Sequence, residues 1–223
     1  MIAILQVYGL MLLKGMGQTL LMTLLTLVIA MVIGMIFGLM NVGHNRVLNL
    51  IGTVYVDAIR GVPLIVLAYF IYFGIPAGLQ GIGIQFRWDN LMPGTIALSL
   101  NCGAYMAEII RAGIQSVDIG QMEAGRSLGL PYWKTMRKII LPQAIRTMIP
   151  SIINQFIITV KDTSILSVIG FPELVLAAKN VQAGTFKSFE TWTIVGIMYL
   201  IVITILSYLA KMVERRVNRG VKR

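Results

Sequence analysis

Residues 123–142 read E-A-G-R-S-L-G-L-P-Y-W-K-T-M-R-K-I-I-L-P. Gly129 suits the end of one helix and Pro131 the first turn of the next, so the segment reads as two short helices broken at Gly129-Leu130-Pro131. Ala124 and Gly125 form a small-residue face that lets another backbone come close. Leu128, Leu130, Tyr132 and Trp133 place apolar and aromatic surface among basic residues. Such anchors fill a partner's groove, and the surrounding Arg and Lys suit acidic groups on that partner. The same pattern also fits an amphipathic loop lying on lipid headgroups.

Outward from this segment the chain is strongly apolar. Of 223 residues, 57% are hydrophobic and only 13% charged, and the mean hydropathy is +0.81. Soluble domains usually carry about a quarter charged residues, so this composition cannot cover a water-facing surface. The chain reads as a single all-α polytopic membrane domain over residues 1–223. Uncharged or nearly uncharged runs place five spans at about 18–40, 58–76, 91–110, 143–169 and 191–210. The fourth carries Lys161 and Asp162 inside it. Residues 1–13 read as a short helix lying along the membrane, residues 112–142 as a long loop, and 171–190 as a polar connection. No cleaved leader is expected, because no early basic region precedes the first apolar run.

The net charge of +10 invites a nucleic-acid partner, but the basic residues flank apolar runs and build no solvated domain. With the C-terminus cytoplasmic, 14 of the 19 Lys and Arg residues fall on the inner side, Arg219, Lys222 and Arg223 among them. That asymmetry puts the N-terminus outside and the 112–142 loop in the cytoplasm. Trp88 and Trp192 then sit at the outer interface. Cys102 is the only cysteine and His44 the only histidine, which excludes an intrachain disulfide and any multi-histidine metal site.

The spacing in 123–142 resembles the motif of the membrane subunits of ABC importers: Glu-Ala-Ala, three residues, Gly, nine residues, Ile, one residue, Leu-Pro. Glu123, Ala124, Gly129, Ile139, Leu141 and Pro142 stand at the matching positions, and Gly125 replaces the usual third Ala. Arg60-Gly61-Val62-Pro63-Leu64, Gly103 to Ile109, Asn154-Gln155-Phe156-Ile157 and Lys161-Asp162-Thr163-Ser164 are similar to the polar amino acid branch, the histidine/glutamine-type permeases. The resemblance implies the type I importer transmembrane fold, in the cytoplasmic membrane of a prokaryote. It implies a dimer of membrane subunits, here a homodimer, and a cytoplasmic ABC ATPase dimer that binds ATP and Mg. It further implies an extracytoplasmic binding protein and a polar amino acid substrate, with glutamine favoured. On this likeness Glu123, Ala124, Gly125, Leu128, Gly129, Tyr132 and Trp133 belong to the ATPase-coupling helix. Related sequences often carry Gln where Leu67 stands, which leaves the substrate's identity open. No cofactor is expected on this chain. It has no G-x-x-x-x-G-K-[ST] phosphate loop, so ATP hydrolysis must lie on another subunit.

Within the membrane the fourth span has a polar side. At 100° per residue Ser151, Gln155 and Asp162 fall within about 40° of one another, with Thr159 close by and Asn154 and Lys161 on an adjacent stripe. Ionisable groups in a span are costly and usually face a cavity or partner. This side therefore reads as lining a substrate pathway, with Gln155 donating and accepting and Asp162 attracting an ammonium group. Pairing of Lys161 and Asp162 with neighbours to fix helix packing is the competing reading. Ser99 and Asn101 are further pocket candidates, though each can simply bond a neighbouring helix. Asp57–Arg60 and Glu108–Arg111 are i,i+3 pairs at the expected inner ends of spans 2 and 3; they suit a cross-helix ion network near the inner gate or local pairs at the headgroups, and the four are read as structural. Gly34-x-x-x-Gly38 reads as close helix packing. An ion-coupled secondary amino acid transporter would normally show an internal repeat, and none is visible. An enzyme would need a catalytic constellation that the scattered carboxylates do not form. A scaffold without transport would need no polar stripe.

Overall fold

The computed structural model describes residues 1–89 and 91–218, with side chains to 216; Arg219, Lys222 and Arg223 lie outside the described residues. The described residues are helical, and their connections are short. Helix α1 runs without interruption over Ile2–Val42. The short surface helix expected at 1–13 is therefore the first part of a single rod. At 1.5 Å per residue it is about 61 Å long, roughly twice the hydrocarbon core. Lys14 does not end it, because the turns before and after Lys14 pack on one continuous surface. Ile4, Leu12 and Met16 join Leu174, Ala178 and Val181 of α9 (Leu174–Thr185) and Ile194 and Val195 of α10 (Ser188–Asn218) in one cluster.

The buried side of α1 is built from small residues. Gly15, Thr19, Thr23, Thr26, Ala30, Gly34 and Gly38 recur at three- and four-residue spacing, while most of the Leu, Ile and Val residues face outward. Lipid tails are as apolar as leucine, so helices gain by close approach at small residues rather than by hiding large ones. A Cβ on Gly34 would meet the Met106 Cβ at 2.5 Å, and one on Gly38 the Ala107 carbonyl oxygen at 2.9 Å. Both neighbours belong to α5 (Met92–Gln115), so the expected Gly-x-x-x-Gly contact is an α1–α5 crossing.

Span 2 differs from expectation. Helix α2 covers Arg46–Gly61, the chain breaks, and α3 (Leu64–Tyr69), a π turn (Phe70–Gly74) and α4 (Ile75–Gly81) form the apolar length. Pro63 supplies the break: it disfavours helical backbone at the residue before it, and Val62 is extended at φ −103°, ψ 130°. Arg60 thus sits at the end of an amphipathic helix rather than inside a span. Asn45 caps α2 by accepting from the amides of Val47 and Leu48.

Among the described residues four helical stretches are long and apolar enough to cross a membrane: Ile2–Val42, Leu64–Gly81, Tyr132–Ile169 and Ser188–Arg216. Helix α5, expected as the third of five spans, is not among them, although its 24 residues reach about 36 Å. It buries 14 of its 24 residues, against 12 of 41 in α1. A helix sheathed by protein needs little lipid-facing apolar surface. The fourth span is longer than expected. It starts at α7 (Tyr132–Thr135), passes a π turn (Met136–Ile140) into α8 (Leu141–Asp162), and ends as a 3₁₀ turn (Thr163–Ile169). Lys161 and Asp162 close α8 rather than interrupting it. Of the two short helices expected in 112–142, only α6 (Ile119–Ser127) stands alone; the second runs directly into span 4.

The connection at 171–190 is largely helix α9 rather than a polar loop. Glu173 caps it, accepting from the amides of Val175 at 2.8 Å and Leu176 at 2.7 Å, and also accepts from the Tyr199 hydroxyl of α10 at 3.3 Å. The Leu174 amide donates to Thr19 of α1. Glu173 is 1% exposed, and burial pushes its carboxyl above the usual range, although the two amides, Tyr199 and the charge of Lys179 oppose the shift. This corner ties α1, α9 and α10 together at one end of the molecule.

Candidate functional site

Helices α5 and α8 meet where both carry polar side chains. Asn101 and Tyr105 lie one turn apart on α5; Gln155, Ile158 and Asp162 follow at three- and four-residue steps on α8. The break between α2 and α3 supplies the third wall, Arg60 and residues 61–64. Together they enclose a cavity of about 460 Å³. Gln155 is buried, and its amide nitrogen lies 4.0 Å from the Cys102 sulfur. Thr159 donates to the Gln155 carbonyl at 2.8 Å and lies 3.4 Å from the same sulfur. The α5–α8 contact thus holds Gln155 in place beside the cavity.

The structure brings Gln155, Asp162 and Asn101 together there. Ser151 lies one turn before Gln155 on α8 and is exposed, and Asn154 and Lys161 are exposed too; none of the three lines the cavity. Ser99 is buried elsewhere, with its hydroxyl unpartnered. Leu67 is buried in the apolar cluster of Met22, Ile71, Leu98 and Phe171 and is absent from the lining. Arg60 and Tyr105 do line the cavity, and the sequence reading assigned neither a place there. Their joining depends on the kink at Pro63, and the Arg60-Gly61-Val62-Pro63 string was the signal available.

Beside this cavity a second polar space of about 350 Å³ is lined by Asn41, Asn49, Asp57, Arg60, Glu108 and Arg111, among others. Arg111 grips Glu108 in a fork, Nε to Oε2 at 3.0 Å and Nη2 to Oε1 at 2.5 Å, and donates to Gln115 at 2.6 Å. Arg60 reaches Glu108 across the helices at 3.8 Å and lies 5.2 Å over the Tyr105 ring. Of the two arrangements expected for these charges, Arg60 takes the cross-helix one and not the local pair with Asp57. Arg60–Glu108 and Arg111–Glu108 are both ion pairs.

At the other candidate surface, Asp118 caps α6 by accepting from the Gly120 amide at 2.6 Å. The helix ends at Ser127 and is closed by Gly129, which has φ +79°. The Leu130 amide donates to the Gly125 carbonyl and the Gly129 amide to Arg126, a paired closure that needs a left-handed residue. This turn projects Leu128, which is 82% exposed, and Trp133, 66% exposed, with Tyr132 beside them near the His44 ring. Glu123 and Ala124 are also exposed. Gly125 is not part of that small-residue face: it is buried, and a Cβ there would meet Thr135 Cγ2 at 2.5 Å. The glycine at this position follows from the chain's own packing. Among the described residues no group of three His, Cys, Asp or Glu is placed to hold a metal.

Residues 30–219 match the family described as the inner membrane component of binding-protein-dependent transport systems. The chain belongs to this family. It is 39% identical over 172 residues to the glutamine transport system permease protein GlnP of Escherichia coli K12, covering 77% of each chain. It is 39% identical over 164 residues to the arginine transport system permease protein ArtQ of Bacillus subtilis, covering 74% of this chain and 73% of that one. Its structure superposes on that of an amino acid ABC transporter crystallised with histidines at a TM-score of 0.86, with 38% identity and 94% and 95% of the two chains covered. The MetNI methionine transporter shares the fold at TM-score 0.75 and 20% identity. The protein is therefore a membrane permease subunit with the type I importer fold, as the 123–142 spacing and the amino-acid-branch residues led one to expect. The ion-coupled carrier and the transport-free scaffold find no support in these likenesses.

Proposed function

We propose that this permease subunit moves a polar amino acid, glutamine in preference, inward through the cavity between α5 and α8. The observation that carries this reading is the cavity's chemistry. One carboxylate (Asp162), one guanidinium (Arg60) and two amides (Asn101 and Gln155) share a space of about 460 Å³. Asp162 attracts the ammonium group, and the amides both donate to and accept from a neutral polar side chain. The 39% identity to a permease named for glutamine supports the same preference.

Energy comes from a separate cytoplasmic ABC ATPase dimer carrying ATP and Mg, which receives Leu128, Tyr132 and Trp133 of the coupling loop at about 112–142. Two copies of this chain form the pathway, the N-terminus of each outside and the C-terminus in the cytoplasm of a prokaryote. An extracytoplasmic binding protein delivers the substrate. ATP binding closes the ATPases and tilts the spans to open the cavity outward, and hydrolysis reverses the tilt, which is alternating access. The test is uptake of labelled glutamine into proteoliposomes holding permease, ATPase and binding protein. Gln155→Ala and Asp162→Asn should each raise the apparent KM by ~10-fold or more with assembly unchanged. An unaltered KM in both variants overturns the assignment of the cavity.

A further inference from the structure

Among the described residues Arg60 is the one side chain that lines both polar spaces. On one side it faces the cavity of Asp162, Gln155 and Asn101; on the other it meets Glu108 and Arg111. Its hold on Glu108 is loose. The 3.8 Å separation exceeds hydrogen-bond distance, and 38% of the Arg60 side chain is exposed. Both Glu108 oxygens already accept from Arg111 in a forked geometry. Among the described residues the Arg60 guanidinium makes no hydrogen bond, while Tyr105, another cavity wall, lies beneath it. Glu108 would not be left unpaired if Arg60 turned away, so the usual penalty for breaking a partly buried ion pair is absent.

A guanidinium with unspent donors suits a carboxylate, which it binds through two parallel hydrogen bonds. The cavity already offers Asp162 for an ammonium group and neutral amides for a side chain, and among the described residues Arg60 is its only cation. We infer that Arg60 is the specificity-determining residue that reads the α-carboxylate of the transported amino acid, turning from Glu108 to the substrate while Arg111 keeps Glu108 paired. This rests on the cavity being the amino acid site. It adds that the cavity rejects amines lacking the acid group, independently of any screening by a binding protein.

The test uses the purified permease–ATPase complex without binding protein and measures equilibrium binding of labelled glutamine, with glutamine α-amide as competitor. The α-amide keeps the ammonium group and side chain but carries no negative charge. Wild type should prefer glutamine by ~10-fold or more, the discrimination expected from one charge-assisted contact. Arg60→Gln should weaken glutamine by that factor and leave the α-amide within about twofold, so the preference collapses, with Arg60→Lys between the two. Asp162→Asn should weaken both ligands alike. Arg60→Gln that keeps the wild-type preference, or that loses both ligands equally, overturns the role of Arg60 while leaving the cavity assignment standing. A wild-type complex that binds neither ligand overturns the cavity assignment itself.

Discussion

Single residues show where sequence periodicity ends and tertiary contact begins. The helical angles of Gln155 and Asp162 correctly placed them on one side of α8, and both reach the cavity. Ser151 shares that angle yet lies one turn outside it, because angle fixes the face and not the depth. Arg60 finds its partner not in Asp57, its nearest acidic neighbour in sequence, but in Glu108 of another helix, the cross-helix network that the two i,i+3 pairs also allow. Glu173 escaped notice because nothing in sequence marks a lone carboxylate as buried. Its carboxyl titrates above its value in the unfolded chain, so the folded state binds the proton more readily. Stability should rise as pH falls from neutral through the raised value and level off below the unfolded value. Glu173→Gln keeps an oxygen for the two amides and removes the titration, so its melting temperature in detergent should vary less between pH 7 and pH 5 than that of wild type. Matching slopes would contradict this reading of the corner.

At the scale of elements, the hydropathy pattern located the apolar lengths but not their boundaries. Lys14 resembled a terminus, although α1 continues through it, since the packing that holds those turns comes from α9 and α10. Helix α5 was read as a span on its freedom from charge between Asp89 and Glu108, and its polarity reflects burial among other helices. The break after α6 is legible in the sequence, because Gly129 and Pro131 encode a left-handed stop and a restart locally, although the helix itself ends two residues earlier at Ser127. That turn is also where the ATPase reading is most easily challenged. Leu128→Asp changes a side chain that is 82% exposed and should leave folding and insertion intact. Co-purified ATPase and substrate-stimulated ATP hydrolysis should both fall, the latter by ~10-fold or more if Leu128 is a buried anchor in the complex. Full retention of both would remove the coupling role from this loop.

The molecule as a whole turns the soluble pattern inside out. Small and polar residues of α1, α5 and α8 meet in the interior, and Leu, Ile and Val cover the outside. The orientation proposed from charge asymmetry is checked with impermeant thiol reagents. Cys102 is buried, so it adds little background. A cysteine at Phe189, 77% exposed, should label in intact cells, and one at Leu128 only in inverted vesicles. The reverse pattern would invert every inside and outside assigned above. Helix α1 bears on motion at this scale. It contains no proline and is pinned near its start by α9 and α10 and further along by α5. A straight shaft of about 61 Å tipped by about 10° about its midpoint displaces each tip by about 5 Å, in opposite directions. Spin labels near residues 5 and 40, each referenced to a fixed point on the second copy of the proposed dimer, would then report one swing as paired readings of contrary sign, like the two arms of a balance.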